Sequence, residues 1–171
     1  MNSTKQYIQE AMLHDLDLCQ HLFTKLNPEL WDWKPRENMR STRELLQYLS
    51  FIGAATAALY CNGGYTPENI PSLRVARELV ADAKPEDFPQ LIEKQKKDII
   101  TILAPITDHD LFHRMTQQPG GGEATLLFAL LNNSTKYLTG YRMQLFIYAK
   151  LNGAEIGTSN AWRGADAAKK V

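Results

Sequence analysis

Tyrosines repeat along one side of the segment KYLTGYRMQLFIY, residues 136–148. Tyr137, Tyr141, Gln144 and Tyr148 follow one another at intervals of four, three and four residues, which places their side chains on one side of an α-helix. Phenol and amide groups donate and accept hydrogen bonds. Such a stripe is compatible with core packing, with a polar ligand pocket, or with the remains of a metal site.

A fourth tyrosine lies on an earlier predicted helix. Tyr48 shares the apolar side of that helix with Leu45, Leu49 and Ile52. Phenols that converge from two helices, with Gln144 beside them, favour a polar pocket more than one buried tyrosine would. Core packing, with each hydroxyl bonded to a neighbour or to water, stays open as the alternative.

Two groups of histidines have spacings found in metal sites. His14, Asp17 and His21 lie on one side of the first predicted helix, but they flank its apolar stripe, and one helix face rarely completes a coordination sphere. His109 and His113 are four residues apart, yet no glutamate or third ligand accompanies them as in a zinc-protease motif. We therefore expect no metal at either group, and we expect the segment of His109 and His113 to be a solvated turn with an N-cap.

The sequence contains no other recognisable catalytic or metal-binding motif. Cys19 and Cys61 are 42 residues apart with no CxxC, so a disulfide and a zinc ribbon are disfavoured and buried filler thiols are expected. The chain has no GxSxG elbow, P-loop or HExxH motif. Glu123 stands near the predicted start of the last helix, where a favourable interaction of its carboxylate with the helix dipole accounts for it without a catalytic role.

Composition excludes several classes of protein. The 171 residues, 44% hydrophobic and 22% charged, are typical of one globular domain, predicted to span 1–171. Nineteen basic and nineteen acidic side chains give a net charge of zero, which disfavours nucleic acid as a partner. No stretch approaches the roughly 18 apolar residues that cross a bilayer, so we expect no membrane association and a cytoplasmic location.

Periodicity and turn signals predict four main helices separated by two long links. Ser41, three residues before Glu44, predicts a capping box that begins the second helix. One short helix is expected within the first link, and an extended tail anchored by Trp162 is expected after the last helix. The predicted main helices cover residues 3–26, 41–61, 85–104 and 123–151, the short helix covers 73–81, and the tail covers 152–171. This arrangement predicts an all-α four-helix bundle with long connections.

Two segments resemble the DinB-like (YfiT-like) superfamily. The segment WDWKPRENMRSTRELLQYLSFIG, residues 31–53, is similar to its tryptophan-and-proline loop followed by the helix pattern S-x-x-E-L-L-x-H-L. The segment YLTGYRMQLFIYAKLNG, residues 137–153, is similar to its closing signature H-x-x-x-H-R-x-Q-L. The order of helices and links is also similar, so the resemblance extends over nearly the whole chain.

The resemblance implies a four-helix bundle with one metal ligand on the second helix and two on the last. Some members are thiol-cofactor-dependent transferases and isomerases that use this metal. The three positions match Tyr48, Tyr137 and Tyr141, and a neutral phenol is a poor ligand for a divalent ion. We therefore expect neither metal nor cofactor. Arg142 and Gln144 keep the R-x-Q of the signature, and Arg142 is expected to pair with an acidic group on a neighbouring helix.

The sequence thus predicts a DinB-like protein without the metal of that superfamily. We expect a small-ligand binding or scaffold protein with Tyr48, Tyr137, Tyr141 and Gln144 at its site, assembled as a homodimer by analogy. The alternative is a transferase or hydrolase of the thiol-cofactor kind with a relocated site. That site would comprise His14, Asp17 and His21, or use a tyrosine as general acid.

Overall fold

The computed structural model describes residues 3–166, which form a mostly helical fold. Nine α-helices and one two-stranded sheet are present in that part of the chain. The helices are α1 (Thr4–Phe23), α2 (Thr42–Leu49), α3 (Ile52–Cys61), α4 (Ile70–Glu78), α5 (Phe88–Leu103), α6 (Asp108–His113), α7 (Leu126–Ala129), α8 (Lys136–Leu151) and α9 (Thr158–Arg163). The strands are β1 (Met115–Gln117) and β2 (Glu123–Thr125). Short 3₁₀ turns occupy Pro28–Leu30 and Pro85–Asp87.

The long helices pack around one hydrophobic core, which confirms the predicted all-α bundle. Helix α1 contacts α5 and α8, and α3 packs against α5 on the other side. The core consists mainly of leucine and isoleucine side chains with little or no exposure, because the apolar side of each helix faces the others. It includes Met12, Leu16, Leu45, Leu49, Ile92, Ile99, Leu138 and Leu145.

The second predicted helix is interrupted, and a continuous helix over 41–61 was therefore wrong. Its start is confirmed, since Ser41 and Glu44 form the predicted capping box. The chain leaves helical geometry at Phe51, where φ is −132°, and resumes as α3. Gln95 of α5 covers the break: its Nε2 donates to the Leu49 carbonyl at 2.7 Å and its Oε1 accepts from the Ala54 amide at 3.1 Å.

The last predicted helix begins three residues later than expected, and a small hairpin precedes it. Glu123 lies in β2, which pairs antiparallel with β1, and it does not begin a helix. Thr125 caps α7 by accepting a hydrogen bond from the Phe128 amide. The residues Leu130–Thr135 then form a π-helix before α8 continues. Because a π-helix inserts an extra residue per turn, it changes which side chains face the bundle.

The tail was predicted to be extended, but Thr158–Arg163 form helix α9. Trp162 was expected to anchor the tail, yet its side chain is 53% exposed. Ile156, Asn160 and Ala161 are buried instead and hold the segment against the bundle. The last part of the predicted tail, residues 167–171, lies outside the described residues.

Candidate functional site

Three tyrosines from two helices converge at the end of the bundle where α2 meets α8. The rings of Tyr48 and Tyr141 are 4.5 Å apart between centroids, and those of Tyr137 and Tyr141 are stacked at 6.3 Å. We call Tyr48, Tyr137 and Tyr141 the tyrosine cluster. Tyr48 is partly buried, whereas Tyr137 at 38% exposure lies at the surface. The sequence prediction that these positions lie together is consistent with this geometry, while their binding of a ligand stays a prediction.

Arg40 lies over two rings of the tyrosine cluster, and sequence analysis did not single it out. Its guanidinium carbon lies 4.2 Å from the centre of the Tyr48 ring and 5.4 Å from that of Tyr141. This is cation–π geometry, which stabilises the cation against the ring faces. The available sequence signal was its place directly before Ser41, since the capping box fixes where the loop ends and α2 begins.

Tyr148 and Gln144 support the Arg40 loop. The Tyr148 ring is buried edge-on against Trp33, with centroids 5.5 Å apart. Its hydroxyl donates to the Arg40 carbonyl at 2.8 Å and accepts from Gln144 Nε2 at 2.9 Å. Gln144 was predicted to join the ligand site, but its recorded hydrogen bond is to Tyr148. Its observed contact is therefore one that positions the backbone of Arg40.

Burial raises the pKa of two phenols of the tyrosine cluster, Tyr48 and Tyr137. The pKa of Tyr48 is raised, mainly by burial and then by Tyr141, against an opposing effect of Arg40. Burial, followed by the proximity of Tyr65 and Tyr141, also raises the pKa of Tyr137. A neutral phenol offers a divalent ion only a weak oxygen ligand, but it donates and accepts hydrogen bonds.

Two further buried polar side chains are Tyr60, which sequence analysis missed, and Ser134. Tyr60 of α3 is 1% exposed, and within the described residues its hydroxyl has no hydrogen-bond partner. Burial, together with Tyr65 and Tyr137, raises its pKa. The hydroxyl of Ser134, in the π-helix, is likewise buried without a partner in that part of the chain. Tyr60 was hidden from sequence analysis because it falls at the end of an alanine-rich apolar helix.

The histidine group of α1 is dispersed among separate contacts. His14 is exposed, and Asp17 forms an ion pair with Lys96 of α5 at 2.7 Å. His21 Nε2 lies 3.1 Å from the side-chain nitrogen of Asn160 in α9. Burial and the nearby Lys25 lower the pKa of His21. The three side chains therefore do not share a site.

The second histidine pair forms one surface stack. The rings of His109 and His113 lie 4.3 Å apart on α6, and His113 Nδ1 is 2.9 Å from the carbonyl of His109. The segment, expected as a turn, is a short helix capped by Thr107. Within residues 3–166, no group of three or more histidine, cysteine, aspartate or glutamate side chains is placed to hold a metal ion.

Arg142 forms the predicted pair with an acidic group on a neighbouring helix. Its Nε lies 2.7 Å from Asp15 Oδ1 of α1, and both side chains are buried. Asp15 also accepts from the Thr139 hydroxyl at 2.5 Å. The Arg142 guanidinium donates to the carbonyl of Ala161 and lies 4.7 Å from the centre of the Trp162 ring. Arg142 thus joins α1, α8 and α9 and has a structural role.

Solved structures with the same architecture include two bacterial proteins. The chain aligns with a DinB-like protein from Bacillus subtilis at a TM-score of 0.65 and 18% identity, covering 88% of this chain and 94% of that one. It aligns with a putative member of the DinB family from Exiguobacterium sibiricum at a TM-score of 0.67 and 19% identity, covering 94% and 99%. The chain has the DinB-like fold. No protein-family model and no curated protein matches it.

The tyrosine cluster lies on the same helices as the metal ligands that the sequence resemblance implies. Tyr48 lies on the second helix and Tyr137 and Tyr141 on the last long helix, the elements to which the sequence resemblance assigns the metal ligands. None of the described helices is both long and apolar enough to pass through a bilayer.

Proposed function

We propose that this DinB-fold protein binds a small organic anion at the tyrosine cluster and Arg40 without a metal ion. In this proposal the cluster occupies the position of the superfamily's metal and has replaced coordination by stacking and hydrogen bonding. The protein acts as a binding or scaffold protein and not as a metal-dependent transferase.

The convergence of three phenols, two of them beneath one arginine, supports this proposal most directly. Within the described residues, the Arg40 guanidinium lies over the faces of Tyr48 and Tyr141 and forms no ion pair with a carboxylate. Planar N–H donors beside aromatic faces suit a carboxylate attached to a flat or apolar body. The buried hydroxyl of Tyr60, which lies close enough to Tyr137 to interact with it electrostatically, adds a donor and an acceptor beside the cluster.

A homodimer in the cytoplasm belongs to the same proposal. Several large apolar side chains near α6 and α7 are about half exposed and supply surface for a second copy. They are Phe112, Met115, Phe128 and Leu131. Sedimentation velocity tests this part, since a purely monomeric protein at micromolar concentration contradicts it.

The alternative of an enzyme with a relocated site receives less support. Asp17 is bound to Lys96, and His21 contacts Asn160, so neither is aligned with His14. If purified protein carries stoichiometric zinc or nickel that is lost on changing His14 and His21, the enzyme alternative replaces the proposal.

Calorimetric titration with benzoate and 2-naphthoate tests the binding proposal. Arg40→Ala is expected to weaken the affinity at least about tenfold, because one charged hydrogen-bonding partner contributes about 1.5–3 kcal/mol. Arg36→Ala is the matched control, since Arg36 is an exposed arginine of the same loop. The control is expected to bind as the wild type does. Equal weakening in both variants, or no saturable binding of either carboxylate, contradicts the proposal.

A further inference from the structure

An open cavity, which we call the groove, lies between α3, α4 and α5. It has a volume of about 510 Å³, which lies in the range of small-molecule pockets, about 300–1,000 Å³. Its walls are mainly aliphatic, with three alanines of α3 facing leucine and isoleucine side chains of the other elements. They include Ala54, Ala55, Ala58, Leu79, Leu91 and Ile102.

Small side chains on α3 leave this groove open. Ala55 and Ala58 are only partly buried, so their methyl groups do not fill the space beneath α4. Leu79, which follows α4 directly, is 80% exposed although it lines the groove. An aliphatic wall with an uncovered leucine at its rim has apolar surface that an apolar ligand would remove from water.

The groove adjoins a smaller, cationic cavity beside the tyrosine cluster. Phe51 and Val80 line both cavities, so the two share a wall. The smaller cavity has a volume of about 270 Å³ and is lined by Arg40, Arg77 and Tyr48. Tyr48 thus faces this cavity as well as the other phenols.

The charges around the two cavities leave both arginines available. Within residues 3–166, neither Arg40 nor Arg77 has a carboxylate partner. Glu44 also lines the smaller cavity, but its carboxylate accepts the Ser41 amide at 2.6 Å and lies 3.4 Å from Lys34 Nζ.

At the far side, the one lysine and the one aspartate that line the groove neutralise each other, since Lys94 Nζ lies 2.6 Å from Asp98 Oδ2. The groove is therefore mainly aliphatic with no net charge, and the positive charge without a carboxylate partner is at the end where Arg40 and Arg77 lie.

We propose that the two cavities together take an amphipathic carboxylate. The apolar chain occupies the groove between α3, α4 and α5, and the carboxylate is bound by Arg40 and Arg77. This inference rests on the proposed function because Arg40 and Tyr48 belong to both, and it names the class of ligand. Neither a short anion nor a neutral alcohol satisfies both halves of the site.

Binding of dodecanoate by the full chain tests the inference, with dodecanol and benzoate as comparison ligands. Ala55→Leu fills the groove, and Ala11→Leu, on an exposed position of α1, is its control. Arg77→Ala removes one positive charge from the smaller cavity. Arg74→Ala removes an exposed arginine of the same helix that pairs with Glu78, and it controls for the loss of charge. Calorimetry gives affinities, and circular dichroism verifies that each variant is folded.

The expected pattern separates the groove from the tyrosine cluster. Ala55→Leu weakens the affinity for dodecanoate about tenfold or more and leaves the affinity for benzoate unchanged. Arg77→Ala weakens the affinity for dodecanoate and leaves the affinity for dodecanol unchanged. Ala58→Leu repeats the groove test if Ala55→Leu does not fold. The two control variants bind all three ligands as the wild type does.

Any of four results overturns the inference. If dodecanol binds as tightly as dodecanoate, the arginines do not select the ligand. If benzoate binds and dodecanoate does not, the inference fails while the proposed function stands; if neither binds, both fail. If Ala55→Leu turns a dimer into a monomer in sedimentation velocity, a second copy of the chain occupies the groove.

Discussion

Asp15 and Arg142 form an ion pair inside the bundle, with 2.7 Å between Oδ1 and Nε and both side chains almost fully removed from solvent. The pair joins α1 to α8, and the same guanidinium donates to the carbonyl of Ala161 in α9. A single residue therefore couples the C-terminal helix to the core of the bundle.

Breaking this pair should destabilise the protein strongly. Asp15→Asn leaves the charge of Arg142 buried without its counter-charge, and we expect a loss of about 3–5 kcal/mol in the free energy of unfolding. Urea unfolding measures the loss. Asp17→Asn is the control on the same helix, because its pair with Lys96 is exposed and contributes about 1 kcal/mol or less. Equal losses in the two variants would contradict the structural role given to Asp15.

The interruption between α2 and α3 depends on Gln95. Gln95→Met should leave the Leu49 carbonyl and the Ala54 amide without partners in a buried region. At about 1–3 kcal/mol for each unsatisfied group, we expect a total loss of roughly 2–6 kcal/mol in urea unfolding. Gln90→Met, at an exposed position of the same helix, should change stability by less than about 0.5 kcal/mol. A loss of stability no larger than that of the control would show that the interruption between α2 and α3 does not depend on the hydrogen bonds of Gln95.

The thiol of Cys61 should react slowly at neutral pH. Burial raises its pKa to about 11, with Arg114 opposing and Asp110 reinforcing the shift. Since the thiolate is the nucleophile, the rate with a disulfide reagent should rise about tenfold per pH unit between pH 8 and 10. Stopped-flow absorbance measures the rate in the folded protein, and Cys61→Ser should remove it because Cys19 is fully buried. A rate that levels off near pH 9 would indicate an ordinary thiol.

The main helices were predictable because their signals are local. The capping box of Ser41 and Glu44, and the apolar periodicity along the long helices, act within a few residues of each helix. Arg142 was assigned an acidic partner because the resemblance placed it beside the bundle interior.

The features that were missed depend on residues distant in sequence. The break at Phe51 is stabilised by Gln95, 44 positions later, and no local signal interrupts the helical pattern there. The strands are three residues long, too short for an alternating pattern to be recognised. Arg40 was missed because its contacts with Tyr48 and Tyr141 exist only once α2 and α8 are packed together.

The central claim is that phenols at three converging positions have replaced metal coordination. Zinc titration of the triple variant Tyr48→His, Tyr137→His, Tyr141→His by calorimetry tests this claim directly, with the wild type as reference. We expect stoichiometric binding in the variant, at least about 100-fold tighter than in the wild type, because three imidazoles would meet where the rings now lie 4.5 and 6.3 Å apart. A folded variant with no gain in affinity, or a wild type that already binds zinc stoichiometrically, would contradict the account.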